Sequence, residues 1–147
     1  MTAPSPRLTV VTLGVRDVRA STRFYEALGF VRRFRATGDE ISFIDAGGVV
    51  LALWSWEKLA ADAGLAAESL PPAFRGTTLA WNCATPAEVD RAFAKAIAAG
   101  GKPLRQPEKT DYGGYRGYFS DPDGHAWEVV QAPGFSFTDD GRLVLPE

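Results

Sequence analysis

Hydrophobic and polar positions in the first part of the chain predict one strand, one helix and three further strands. Residues 8–15 are apolar and β-branched, which predicts a buried strand. A helix follows, because Asp17 suits an N-cap, Gly29 suits the position after the last turn, and apolar residues recur at helical spacing between them. The remaining strands of this module are predicted at about 30–36, 41–45 and 49–54.

The same order of elements returns later in the chain. A connector at 55–76 contains a short helix that ends at Gly64, and residues 77–83 then predict a strand. The sequence Thr85-Pro86-Ala87-Glu88 is a capping box with proline at the first helical position, and Gly100-Gly101 ends the helix. The last three strands are predicted near 102–106, at 115–120 and at 126–131.

The doubled β-α-β-β-β order predicts an α+β fold made of two modules in a single domain. The first module covers about 8–54 and the second about 77–131. We expect the modules to form a curved mixed sheet with a concave cleft on one face and helices on the outer face, a shape that favours small-molecule sites. The tail at 132–147 is expected to pack back on the domain or across a dimer, through Phe135, Phe137, Leu143 and Val144.

Composition and charge argue against several classes of function. The net charge of −2 over 147 residues is unlike that of a general nucleic-acid-binding protein, which needs a basic surface. No stretch approaches the 18 apolar residues of a membrane span. The single cysteine, Cys83, permits no internal disulfide, which fits a reducing cytoplasm.

Two segments carry a resemblance to a known family. Residues 113–129 contain the turn Asp121-Pro122-Asp123-Gly124, and Val15-Arg16-Asp17-Val18 is followed by Phe24-Tyr25 and Leu28-Gly29-Phe30. They resemble the final hairpin and the opening strand and helix of the glyoxalase/bleomycin-resistance/extradiol-dioxygenase superfamily, also called the vicinal oxygen chelate superfamily, and its glyoxalase-like bacterial branch. The resemblance implies the paired-module fold but leaves the function open, because this fold hosts lyases, isomerases, dioxygenases, epimerases and drug-sequestering proteins.

The resemblance also implies where a metal would be bound. Metal-using members place four ligands, usually His, Gln or Glu, on the concave face, and these positions fall near Val10, Ala52 and Trp81 and at Glu128. No His, Glu or Gln occurs in the strands at 8–15, 49–54 and 77–83. Glu128 alone cannot replace such a set, so we expect no cofactor, with a divalent metal as the disfavoured alternative. The one histidine, His125, is expected to point away from the site.

Strand alternation selects the side chains that line the predicted cleft. With Glu128 in the cleft, a four-residue turn places Phe119 opposite Ala126. In the first module, Ser42 is expected opposite Ala52. The expected ligand-binding residues around Glu128 are Thr12, Ser42, Trp54, Trp81, Cys83, Tyr115 and Phe119. This lining suits a flat, partly aromatic ligand, while the alternative is that the same aromatic residues fill a closed core.

Glu128 has three interpretations. It is a general base whose pKa is raised by burial, a hydrogen-bond or charge partner of a ligand, or an ion-pair partner of an arginine such as Arg105 or Arg116. Cys83 is interpreted as a small buried residue rather than a nucleophile, because no second histidine is available to activate it.

Three functions therefore compete. The first is a metal-independent protein that binds a small, aromatic molecule. The second is an enzyme of lyase, isomerase or dioxygenase type that uses Glu128 as an acid/base or metal ligand, and the third is a non-catalytic accessory domain. The expected partners are a small-molecule ligand and a second copy of the chain in a homodimer, with no nucleic acid and no membrane.

Overall fold

A computed structural model describes residues 3–67 and 71–147 of the chain. The first module contains β1 (Val10–Val15), α1 (Val18–Ala27), β2 (Val31–Arg33), β3 (Ile41–Asp45) and β4 (Val50–Ser55). The connector contains α2 (Trp56–Asp62). The second module contains β5 (Thr78–Asn82), α3 (Pro86–Ala98), β6 (Lys102–Lys109), β7 (Tyr115–Ser120) and β8 (Ala126–Gln131). The tail forms a small hairpin of β9 (Ser136–Phe137) and β10 (Leu143–Val144).

The α+β fold with two β-α-β-β-β modules is confirmed. Each module forms its own four-stranded mixed sheet, in the strand orders β1-β4-β3-β2 and β5-β8-β7-β6. In each sheet the first strand runs parallel to the fourth, and the other neighbours are antiparallel. The strand expected at 30–36 ends at Arg33, because Phe34 adopts a left-handed conformation and a 3-10 turn follows.

The helices begin where the sequence places their caps. The Asp17 side chain accepts a hydrogen bond from the Ala20 amide at 3.0 Å. The Thr85 hydroxyl accepts from the Glu88 amide at 3.2 Å, and the Glu88 carboxylate accepts from the Ala84 amide at 2.7 Å. These bonds satisfy amides that have no partner within the first turn of either helix, so the side chains fix both helix starts.

One buried core joins the two modules. It contains apolar side chains from α1 and α3 and from one face of each sheet. The α1 ring of Phe24 lies 6.4 Å from Phe119 in β7, and Tyr25 lies 5.9 Å from Trp127 in β8. Because the helix-covered faces of both sheets share this core, the opposite face of each sheet is turned away from it. Of the expected site residues, Glu128, Thr12 and Trp54 lie on these outward faces.

In the part of the chain that the structure describes, no helix is both long and apolar enough to cross a membrane.

Candidate functional site

The pairing of β7 with β8 decides which side chains accompany Glu128. Tyr118 lies opposite Glu128, Phe119 opposite Trp127, and Ser120 opposite Ala126. The expected register, with Phe119 opposite Ala126, is therefore wrong by one residue. The cause is the connection, which spans five residues because the amide of Asp121 donates to the carbonyl of His125. A slip of one residue exchanges the two faces of a strand.

The residue beside Glu128 is thus a tyrosine that sequence reasoning missed. The Tyr118 hydroxyl donates a hydrogen bond to Glu128 Oε2 at 2.9 Å. Burial raises the pKa of Tyr118, and the hydrogen bond to Glu128 raises it further. The phenol consequently keeps its proton and serves as a donor. The Glu128 carboxylate retains Oε1 as a free acceptor among the described residues, on a half-buried side chain.

Two arginines flank this pair but do not bind Glu128. Arg105 and Arg116 both form ion pairs with Glu108, at 2.7 and 3.3 Å. These contacts lower the pKa of Glu108, with the hydrogen bond from Arg105 as the largest cause. The Arg116 guanidinium also lies 5.9 Å from the centre of the Tyr118 ring. The interpretation of Glu128 as an ion-pair partner of either arginine is therefore wrong in this structure, and Glu108 holds that role.

Thr12 and Trp54 lie on the outward face of the first sheet, whereas their role in ligand binding stays a prediction. Thr12 pairs with Ala52, and Trp54 lies between Gly14 and Ile41 on the same side. Ser42 is fully buried on the core side, because Phe43 rather than Ser42 pairs with Ala52. The strands expected at 41–45 and 49–54 leave residues 46–48 for the β3–β4 connection. In the structure the connection also includes Val49, because Asp45 pairs with Val50 and the Ala46 amide donates to the Val49 carbonyl.

Four other expected cleft residues also lie on core-facing sides, so their assignment to the Glu128 face is wrong. Phe119 is fully buried, and Trp81 pairs with Val129, a core residue. Cys83 belongs to the buried cluster. Tyr115 shares the side of Phe119, and its hydroxyl donates to Asp90 in α3 at 2.7 Å. The alternative that aromatic residues fill a closed core thus holds for Phe119.

The metal-ligand positions of the two modules are related by strand register. Ala52 lies two residues beyond the partner of Val10, and Glu128 lies two residues beyond the partner of Thr78. Thr78 is also seven residues before the N-cap of its helix, as Val10 is. The third position is therefore Thr78, not Trp81. Neither residue is one of the usual ligands, so the correction leaves Glu128 as the single retained position.

The donor set does not fit a resident metal ion. No group of three or more His, Cys, Asp or Glu side chains suited to a metal occurs within residues 3–67 and 71–147. His125 lies away from Glu128, where its ring nitrogen Nε2 is 2.7 Å from the Gly14 carbonyl and its ring contacts Arg75. A single carboxylate without imidazole partners is a poor site for zinc, iron or manganese.

The missed residue Tyr118 had a signal in the sequence, which is the aspartate that opens the β7–β8 connection. Asp121 accepts hydrogen bonds through Oδ1 from the amides of Asp123 and His125, both at 2.9 Å. An aspartate that accepts from the amides two and four residues later extends the turn through His125, so the connection is five residues long. A connection of this length places Tyr118 and the other even-numbered residues of β7 on the Glu128 face.

The chain belongs to the glyoxalase/bleomycin resistance protein/dioxygenase superfamily, whose sequence profile matches residues 7–129. It is 38% identical to a glyoxalase-related enzyme from Fulvimarina pelagi, with a TM-score of 0.85, 96% of this chain covered and 99% of that chain. It is 30% identical to protein ATC0852 from Agrobacterium tumefaciens, with a TM-score of 0.71 and coverage of 88% and 99%.

A further structure supports the fold. The chain is 27% identical to a glyoxalase/bleomycin resistance protein/dioxygenase from Nocardioides, with a TM-score of 0.73 and coverage of 90% and 88%. The search of curated proteins gives no match. Superfamily membership is therefore established, and the substrate or ligand has to be inferred from the residues of the site.

Proposed function

We propose that this protein binds a small, flat, partly aromatic molecule on the Glu128 face and does so without a metal ion. The observation that carries the proposal is the Tyr118–Glu128 hydrogen bond of 2.9 Å on the half-buried, outward face of β7 and β8. It fixes the carboxylate and leaves Oε1 to accept from a ligand. A fixed, partly buried acceptor beside an aromatic ring is a common way to orient a small molecule.

The contacts at Glu128 favour a ligand that donates hydrogen bonds. Glu108 forms ion pairs with both Arg105 and Arg116, so its one negative charge offsets only one of their two positive charges. Glu128 itself forms no ion pair within the described residues, so a ligand group that reaches Oε1 meets a carboxylate oxygen and not an arginine. An aromatic amine or another aromatic donor therefore suits the face better than an aromatic carboxylate, since like charges repel in a partly desolvated site.

We propose further that the protein works as a homodimer. The outward face of the first sheet is largely apolar, with Val10 and Phe34 exposed and Phe43 half-buried on or beside it. An apolar surface of this kind is typical of protein interfaces. Sedimentation at micromolar concentration tests the proposal: we expect the mass of two chains, and a monomer would contradict it.

Binding is tested with three probes of one size and different charge: benzylamine, benzyl alcohol and benzoate. We expect benzylamine to shift the backbone amide NMR signals of β7 and β8 most and benzoate least. Glu128→Gln removes the charge with little change in volume and is expected to abolish the preference for benzylamine. Glu57→Gln, on an exposed side chain of α2, is the matched control and should leave it unchanged.

A different order of affinities would contradict this proposal. Equal shifts by all three probes, or a preference that persists in Glu128→Gln, means that Glu128 does not orient the ligand. No shift by any probe at saturating concentration favours a non-catalytic accessory domain instead.

An enzyme remains the second candidate, because a tyrosine hydroxyl hydrogen-bonded to a carboxylate is also a proton-transfer pair. Glu128 would accept a proton from a substrate carbon or oxygen, with Tyr118 stabilising the carboxylate form. In any assay that shows turnover, Glu128→Gln is then expected to lower kcat by about a hundredfold or more. An unchanged kcat contradicts the catalytic role and leaves the binding role.

A further inference from the structure

The C-terminal hairpin lies over a cavity that is distinct from the Glu128 face. A cavity of about 600 Å³, here called the hairpin cavity, is lined both by the body of the domain and by Phe137 and residues 140–143 of the tail. A second cavity, of about 580 Å³, adjoins it. The side chains or backbone of four residues line both: Trp81, Asn82, Phe137 and Gly141. Phe137 of the tail therefore lies where the two cavities meet.

The walls of the hairpin cavity are aromatic and aliphatic. The Phe30 ring lies 5.8 Å from Trp81 and 6.0 Å from Trp127, with tilted planes. Leu51 and Leu79 add aliphatic surface. Phe30 lies in the α1–β2 connection, and the other side chains belong to the core-facing sides of the two sheets, so the cavity lies at the seam between the modules. Because these rings contact one another, they form a continuous aromatic wall against which a further flat ring can pack edge-on or offset.

The hairpin cavity has few polar groups, and it carries no net charge. Asp140 and Arg142 form an ion pair of 3.2 Å and compensate one another at the rim. Asn82 lines the same cavity, and its side-chain amide can donate a hydrogen bond to a ligand acceptor. The cavity therefore offers a hydrogen-bond donor but no net charge to attract an ion.

We propose that the hairpin cavity is a second binding site, for a neutral, flat, two-ring aromatic molecule that carries a hydrogen-bond acceptor, and that the C-terminal hairpin is its lid. The volume lies in the range of small-molecule sites. The hairpin lies beyond residues 7–129, the part that matches the superfamily profile, so the lid is an addition to the shared fold. The site is independent of the function proposed for Glu128.

Quinoline is the probe, because it is flat, neutral at pH 8, accepts a hydrogen bond and has no donor for Glu128. The chain contains four tryptophans, and their indole N–H signals are assigned with single Trp→Phe variants. We expect quinoline to shift the indole signals of Trp81 and Trp127 in a saturable way and to leave that of Trp54, on the outward face of the first sheet, in place. Shifts confined to Trp54, or no saturable shift of Trp81 and Trp127, would overturn the proposal.

The lid is tested by two substitutions in the same hairpin segment. Phe137→Ala removes the aromatic side chain that lines the cavity and is expected to weaken quinoline binding about fivefold or more, the size of one lost aromatic contact. Phe135→Ala is the matched control, since Phe135 is exposed and lines neither cavity. Equal affinities of the two variants would overturn the role of the hairpin, whereas melting temperatures show whether either variant is unfolded.

The two sites are separated by a cross-test. Glu128→Gln is expected to change benzylamine binding and leave quinoline binding as in the parent protein. Phe137→Ala is expected to do the reverse. If Glu128→Gln weakens quinoline binding as strongly as Phe137→Ala does, the two sites are not independent and the proposal of a second site is wrong.

Discussion

The Tyr25 hydroxyl donates a hydrogen bond of 2.7 Å to Asp121 Oδ2, which joins residues 96 positions apart. Tyr25 belongs to the helix of the first module, and Asp121 opens the β7–β8 turn of the second. The same hydroxyl accepts from the Trp127 indole N–H at 3.1 Å. Burial raises the pKa of Tyr25 well above its ordinary value, and the nearby Asp121 charge adds to the effect. The hydroxyl is thus a protonated link between the modules.

We expect Tyr25→Phe to destabilise the protein by about 1–3 kcal/mol, because it leaves the buried Asp121 carboxylate and the Trp127 N–H each short of one partner. Urea unfolding monitored by tryptophan fluorescence measures the change. Tyr112→Phe makes the same chemical change at an exposed position and is expected to have no measurable effect. A free energy of unfolding equal to that of the parent protein would show that the link contributes nothing.

Gly117 lies in the middle of β7, where a side chain would collide with β6. A Cβ built at this position lies 3.0 Å from the Pro107 nitrogen and 3.1 Å from the Arg105 carbonyl oxygen. The pairing of β6 with β7 shifts register between Arg105 and Glu108, which brings the backbone close. We expect Gly117→Ala to cost about 1–3 kcal/mol through overpacking. An unchanged melting temperature would contradict the close approach.

Cys83 is expected to react slowly with alkylating reagents. Burial raises the pKa of the thiol to about 11, and the nearby Glu88 charge adds to the shift. At pH 8 only about one thiol in a thousand is then ionised, and the thiolate is the reactive form. We expect iodoacetamide to modify the native protein at least about a hundredfold more slowly than the urea-unfolded protein, with a rate that rises with pH. Equal rates would show that Cys83 is exposed and ionisable.

The helices and strands could be predicted from the sequence, because the capping residues and hydrophobic patterns that specify them are local. Asp17 and Thr85 start their helices as the capping pattern indicates. Such signals depend on residues within one turn or one strand, so they do not require knowledge of distant partners.

The faces of the strands were harder to predict because they depend on connection length. One additional residue in the β7–β8 connection places Tyr118 opposite Glu128 and moves Phe119 to the core-facing side. One additional residue between β3 and β4 exchanges Ser42 for Phe43 beside Ala52. Each connection carries a proline or glycine signal for a turn, but the backbone hydrogen bond that closes it fixes the count. The chemistry of the site changes with that count, whereas the fold does not.

A metal-free site at Glu128 is tested by the metal content of the purified protein, followed by thermal shifts with Mn²⁺, Fe²⁺, Co²⁺, Ni²⁺ and Zn²⁺. We expect no stoichiometric metal and no shift that depends on Glu128, because Val10, Ala52 and Thr78 supply no ligands at the other three positions. One metal ion per chain, or a large thermal shift that Glu128→Ala abolishes, would contradict a metal-free site.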